Sequence, residues 1–121
     1  MKQNVSGCAV EEAMRLLGGR WRIVLLSYLM VGPKRFSDIR RAVPNISQRM
    51  LTLDLRALEE AGLLTRTVYA EVPVKVEYRL TDEGLRLQGL VEMLRGIGLR
   101  LRGQADAGGV FLAPDAGQMS V

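Results

Sequence analysis

The apolar period of this chain changes abruptly at Gly62, and that change restricts the fold more than any other feature. On its N-terminal side Leu51, Leu55 and Leu58 recur at helical spacing, with Ser47 standing where an N-cap belongs. Gly62 takes the C′ position that ends such a helix. Upstream, Phe36, Ile39 and Val43 at i, i+3, i+7 mark a shorter helix, and Pro44-Asn45-Ile46 breaks the chain between the two. On the C-terminal side of Gly62 the period falls to two. Val74, Val76, Tyr78 and Leu80 alternate with Lys75, Glu77 and Arg79, a half-buried strand. Leu64 to Tyr69, rich in Thr, Val and Tyr, supplies its partner, and Ala70 to Pro73 forms the connecting tip.

Two short helices joined by a tight turn form a helix-turn-helix. Followed directly by a hairpin, they predict a mainly α fold with a small β-hairpin, a winged helix-turn-helix. The flanks complete the pattern. Val10, Met14 and Leu17 predict an amphipathic helix facing inward, stopped by Gly18-Gly19. Ile23 to Val31 is apolar nearly all round and predicts a buried central helix ended by Gly32-Pro33. Beyond the hairpin, Thr81 caps a final helix whose first turn carries Asp82 and Glu83. Along it Leu87, Leu90, Leu94, Ile97 and Leu101 are spaced 3, 4, 3, 4, an a/d seam that predicts packing along another helix. The Gly/Ala-rich stretch after it reads as a flexible tail. The expected organisation is one domain over 1–103 and a tail over 104–121, with no internal repeat.

Composition removes whole classes of function. The 121 residues contain no histidine and one cysteine. A structural zinc site needs four ligands of these types, and Ser-His-Asp or Cys-His catalysis needs a base that is missing. One cysteine also forbids a disulfide framework within the chain. With no glycine-rich phosphate loop and no metal constellation, the expectation is a protein that is not an enzyme and needs no metal or cofactor. The apolar stretch Ile23 to Val31 is broken by Ser27 and falls short of the roughly 20 residues of a spanning helix. Glu11, Glu12 and Arg15 interrupt any signal-peptide core, so a cytoplasmic protein without a membrane partner is expected.

The charge distribution points to a partner. Seventeen Lys and Arg against 13 Asp and Glu leave +4, and residues 34–56 alone, with six basic and two acidic side chains, carry a surplus of the same size. The surplus is mostly arginine, which suits bidentate contacts to phosphate and guanine. Lys34, Arg35, Arg40 and Arg41 flank the turn, a clustering that phosphate binding requires. Opposite its leucines, the helix that begins at Ser47 presents Gln48, Arg49, Thr52 and Arg56. These side chains match base edges in the major groove, with Gln48 and Arg49 closest to the helix start and therefore deepest. Lys75 near the hairpin tip, with Arg66 or Arg79, would reach an adjacent minor groove or the backbone. Leu53 lies on the same outward side, where it either touches a thymine methyl or packs under the hairpin. The bland alternative is a solvated polar face. A rival function is a protein-contact module without specific DNA binding, whose basic face meets an acidic partner; weak salt dependence on duplex DNA would mark it.

The ordered motifs resemble a known family. Leu17-Gly18-Gly19-Arg20-Trp21, Arg35-Phe36, Ile46-Ser47-Gln48-Arg49-Met50-Leu51-Thr52 and Leu55-Arg56-x-Leu58-Glu59 are similar to those of the HxlR-type winged helix-turn-helix regulators of bacteria. The likeness continues through Gly62-Leu63, Arg66, Val72-Pro73, Val76-Glu77-Tyr78, Leu80-Thr81 and Gly84, covering roughly residues 8 to 100. It implies a transcriptional regulator that binds double-stranded DNA as a homodimer, with the helix start at Ser47-Gln48-Arg49 reading the major groove and the hairpin acting as the wing. It implies further that the N- and C-terminal helices form the dimer interface, through Val10, Met14, Leu87, Leu90, Leu94, Ile97 and Leu101. Leu53-Asp54 departs from the family's usual polar pair, Cys8 is followed by Ala9 instead of proline, and the final helix lacks a tryptophan near its end. In some members the cysteine at the place of Cys8 senses oxidants, so the resemblance implies a redox-sensing role and an oxidant or small-molecule effector. The competing reading is a small half-buried side chain without a role. With one cysteine per chain, a switch would need an intersubunit disulfide, a mixed disulfide with a small thiol, or alkylation.

Overall fold

The computed structural model describes residues 7–106. The order of elements is α1 (Ala9–Leu17), α2 (Arg22–Leu29), β1 (Lys34–Arg35), α3 (Phe36–Ala42), α4 (Gln48–Glu60), β2 (Leu64–Tyr69), β3 (Lys75–Leu80), α5 (Asp82–Leu85) and α6 (Gln88–Asp106). The expected helix-turn-helix is α3 and α4. The Ser47 hydroxyl accepts the Met50 N–H at 3.0 Å and starts α4. Its other end is a Schellman motif: Leu63 N–H bonds to Leu58 O and Gly62 N–H to Glu59 O. Gly62 makes that closure with a φ of 80°, a left-handed conformation that a side chain would oppose.

The core lies where α2, α3 and α4 meet the inner face of the sheet. Leu25, Leu26, Ile39, Leu51, Leu55, Leu58 and Leu64 are fully buried there. Tyr78 and Leu80 close it from β3, and Trp21, Phe36 and Val76 pack on its edge.

Several elements differ from the sequence expectation. The sheet has three antiparallel strands in the order β1-β3-β2, because Lys34 pairs with Tyr78 and Arg35 with Glu77 alongside the hairpin. Val74 falls outside β3 and is exposed, so the tip runs from Ala70 through Val74, with a cis peptide at Val72-Pro73. The expected single C-terminal helix is two. Thr81 caps only α5, accepting from Gly84 N–H at 3.1 Å, and the chain turns at Arg86-Leu87 before α6 begins. The central helix α2 ends at Leu29, two residues before Val31, and is open on one side: Val24 is exposed. Inward facing in α1 is confined to its end, with Leu17 buried but Val10 and Met14 exposed. Helix α6 runs through Asp106, beyond the expected start of the tail at 104, and residues 107–121 of that tail lie outside the described residues.

Candidate nucleic-acid interface

Helix α4 has two unlike faces. Leu51, Leu55 and Leu58 enter the core, while Ser47, Gln48, Arg49, Thr52 and Arg56 are exposed on the opposite side. The expected reading residues therefore share one accessible surface. Ser47 has a structural task as well, since its hydroxyl oxygen is the cap acceptor. Leu53 is 47% exposed beside them, so the structure does not tuck it under the hairpin.

The basic residues around the turn separate into two groups. Arg35 and Arg40 are exposed. Arg41 is exposed too, but ion-pairs with Asp38 one turn back on α3, and Asp38 also accepts from the Arg35 backbone N–H at 3.3 Å. Lys34 is half-buried with its ammonium 4.8 Å from the centre of the Tyr28 ring, a cation–π contact. Lys75 is likewise engaged. Its Nζ lies 4.6 Å from the Tyr69 ring centre and 3.8 Å from Glu77 Oε2. A cross-strand tyrosine and a neighbouring carboxylate thus hold this wing lysine on the sheet.

Between α4 and the hairpin runs a cleft of about 680 Å³, bordered by Thr52 and Arg56 on one side and by the wing residues Pro73 and Val74 on the other. Arg35, Arg56, Arg66 and Lys75 contribute four cations to its lining, against the two carboxylates of Glu59 and Glu71. Its floor is Tyr78, whose hydroxyl is pushed above its ordinary pKa by burial, only partly offset by the adjacent Arg66 guanidinium. The cleft thus joins the outward face of α4 to the wing in one electropositive surface, the geometry that a duplex backbone beside a major groove would follow.

Two residues that the sequence reading did not pair hold α4 in place. Asp54 points into the leucine face, its side chain 8% exposed, and accepts from Arg22 Nε at 3.0 Å. Arg22 Nη1 donates in turn to the Leu16 carbonyl at 2.7 Å, so one guanidinium ties the end of α1, the start of α2 and the middle of α4. The only available signal was a charged residue inside an otherwise apolar stripe.

Away from this face, Leu90, Leu94, Ile97 and Leu101 of α6 are exposed, as are Val10 and Met14 of α1. Leu87 is not in that group. It packs against the protein's own core, and Val91 is buried in α6. An apolar groove between α2 and α6, about 270 Å³ and lined by Ile23, Val24, Leu94 and Leu99, continues this surface. Cys8 is half-buried at the N-cap of α1, and its carbonyl accepts the Glu12 N–H at 3.1 Å. No helix among the described residues is long and apolar enough to cross a membrane.

Comparison with known proteins agrees with this architecture. Residues 16–105 match the family model described as HxlR-like helix-turn-helix. The HTH-type transcriptional regulator YdeP of Bacillus subtilis (strain 168), itself uncharacterized, is 43% identical over 100 residues, which span 83% of this chain and 78% of the relative. Among solved structures, the redox regulator HypR in its oxidized form aligns with a TM-score of 0.72 at 45% identity, over 75% of this chain and 94% of HypR. The diamide-treated YodB of B. subtilis aligns with a TM-score of 0.63 at 39% identity, over 84% and 95%. With the helix-turn-helix, the wing and the flanking helices all in their expected order, the chain belongs to the HxlR-like helix-turn-helix family of transcriptional regulators.

Proposed function

We propose that this protein regulates transcription by binding a pseudo-palindromic DNA operator as a homodimer. The observation that carries the reading is the exposed polar face of α4, opening directly onto the electropositive cleft beside the wing. Gln48, Arg49, Thr52 and Arg56 read base edges, each good contact contributing about 1–3 kcal/mol of discrimination. Arg35, Arg40 and Arg41 bind phosphate and set register without reading sequence. Lys34 and Lys75 add positive potential to the same surface while their ammonium groups rest against Tyr28 and Tyr69. Two-fold symmetry places the two α4 helices in successive major grooves, about 34–36 Å apart. The exposed side chains of α1 and α6 supply the dimer contact, since Leu90, Leu94, Ile97 and Leu101 form one apolar line. The proposal involves no catalytic step and no cofactor, and operator binding places its work in the cytoplasm.

Oxidant control through Cys8 is a second layer of the reading. It is supported by the position of the thiol at the head of α1, next to the exposed Val10 and Met14. Two Cys8 thiols give up two electrons and two protons to an oxidant such as diamide in forming an intersubunit disulfide.

The test is titration of the wild type and Arg49→Ala against the protein's own upstream DNA and a scrambled duplex across salt. The wild type prefers the operator, and Arg49→Ala loses that preference while keeping salt-sensitive binding. Equal loss on both duplexes would remove Arg49 from the readers. Diamide weakens operator binding of the wild type but not of Cys8→Ser; equal response of both proteins rules out the thiol as sensor.

A further inference from the structure

The outer face of the sheet carries a charge arrangement centred on Glu77, a residue with no part in the base or phosphate contacts proposed above. Glu77 sits in β3 with its carboxylate mostly shielded, its side chain 18% exposed. Lys75 Nζ lies 3.8 Å from its Oε2, Arg79 Nη2 3.8 Å from its Oε1, and the Tyr69 hydroxyl donates to Oε1 at 3.3 Å. Strand register sets Arg35 directly opposite Glu77 and Tyr69 directly opposite Lys75. Residues opposite one another in a sheet share a face, as do residues two apart along a strand. Lys75 and Arg79 therefore flank a single carboxylate, with Arg35 opposite it in the neighbouring strand. Lys75, at the root of the wing tip, is stacked on Tyr69 as well as paired.

We propose that Glu77 is a positioning residue that holds Lys75 on the sheet and so limits the sequence-independent part of DNA affinity. The inference rests on the DNA-binding reading above. A wing lysine free of its carboxylate adds one phosphate contact wherever the protein sits on a duplex, operator or not. Such a contact raises affinity everywhere and discrimination nowhere. With Glu77 beside it, Lys75 reaches a phosphate only by leaving both the ion pair and the tyrosine ring, and the unpaired carboxylate then faces the DNA. Glu77 in this way sets how much of the protein is retained on non-operator sequence.

Wild type, Glu77→Gln, Lys75→Ala and the double variant are titrated against an operator and a scrambled duplex from low to moderate salt. Glu77→Gln is expected to bind both duplexes more tightly by the same factor, about three- to tenfold at low salt, from the release of exposed ion pairs. Its salt dependence should steepen by about one ion per protomer, as one added phosphate contact requires. Lys75→Ala in the Glu77→Gln background should cancel both changes. A purely structural carboxylate would instead weaken binding on its removal and leave the salt slope alone. Glu77→Asp keeps the charge but draws the carboxylate back from Lys75 by one methylene, so it carries the test if Glu77→Gln loses its cooperative unfolding transition. Its gain should be smaller and of the same sign. Unchanged or weaker binding by Glu77→Gln, or by the variant that replaces it in the test, or a gain that survives Lys75→Ala, overturns the proposal. A wild type that binds neither duplex at low salt overturns the DNA-binding reading, and this proposal with it.

Discussion

Replacing Asp54 with leucine tests whether the Arg22 tie holds α4 in place, and its cost follows from the burial of the pair. Removing one member of a fully buried ion pair costs about 3–5 kcal/mol, because the partner is left charged and unpaired. Arg22 is not fully buried. Its side chain keeps 24% exposure, and Nη1 keeps the Leu16 carbonyl. Those two outlets reduce the expected loss for Asp54→Leu to about 2–3 kcal/mol. In a domain of this size about 4–8 °C of Tm accompanies each kcal/mol, so melting should fall by roughly 8–24 °C. Arg22→Met leaves a carboxylate with 8% exposure among leucines and should cost at least as much. The double variant Arg22→Met/Asp54→Leu, which substitutes apolar contact for the pair, should return to within about 1 kcal/mol of wild type. Urea denaturation followed by far-ultraviolet circular dichroism, at one fixed protein concentration, measures all four proteins. If Asp54→Leu lies within about 0.5 kcal/mol of wild type, or if the single losses simply add in the double variant, the pair is a surface ornament and the reasoning fails.

Other expectations follow from single features. Burial raises the Tyr78 pKa above 10.0, so the neutral phenol is favoured by folding. Stability is therefore intact below pH 10 and falls as pH rises from there through the folded-state pKa, whereas Tyr78→Phe loses that component of the alkaline transition; an identical alkaline limb for both proteins contradicts the assignment. Gly84→Ala drives a methyl into the Leu63 carbonyl oxygen and to 3.2 Å from Leu80 Cδ2, and should destabilise by about 3 kcal/mol in urea titrations. A loss under about 0.5 kcal/mol would mean that α5 shifts freely. Leu94→Glu places a charge on the exposed apolar line of α6 and should give a folded monomer by light scattering, with weakened operator binding. Retention of the dimer would move the interface elsewhere.

What the sequence made legible were the elements whose signals are local. Helix α4 could be bounded at both ends because Ser47 and Gly62 act on backbone groups within a few residues of themselves. The hairpin register follows from alternation, since a slip by one residue would turn Tyr78 and Leu80 away from the core. What escaped depends on distant partners. Lys34-Arg35 has no strand pattern of its own and is extended only because β3 presents a free edge to it. Asp54 reads as a misplaced charge until Arg22, 32 residues away, is brought to it. The break between α5 and α6 left the leucine spacing untouched, and that spacing gave no sign that Leu87 packs against the protein's own core. The exposed polar face of α4 was legible for the same reason as the helix itself. The restraint on Lys75 was not, because it depends on a cross-strand ring and on side-chain placement that alternation leaves open.

The junction after α4 has a mechanical consequence. Thr81 N–H bonds to the Leu63 carbonyl at 3.0 Å, the Thr81 hydroxyl bonds to Gly62 O, and Gly84 packs against that same Leu63 carbonyl. The root of α5 is thereby clamped to the far end of the reading helix, and the Arg22 tie grips the helix near its middle. From Gln48 to Glu60 the helix is a lever about 18 Å long. A tilt of about 10° at the clamped end, delivered through α5 from α6, moves the Gln48 end by about 3 Å. That is the full length of a hydrogen bond. In the dimer proposed above, small rotations between two protomers would be enough to carry the Gln48 ends into or out of register with bases.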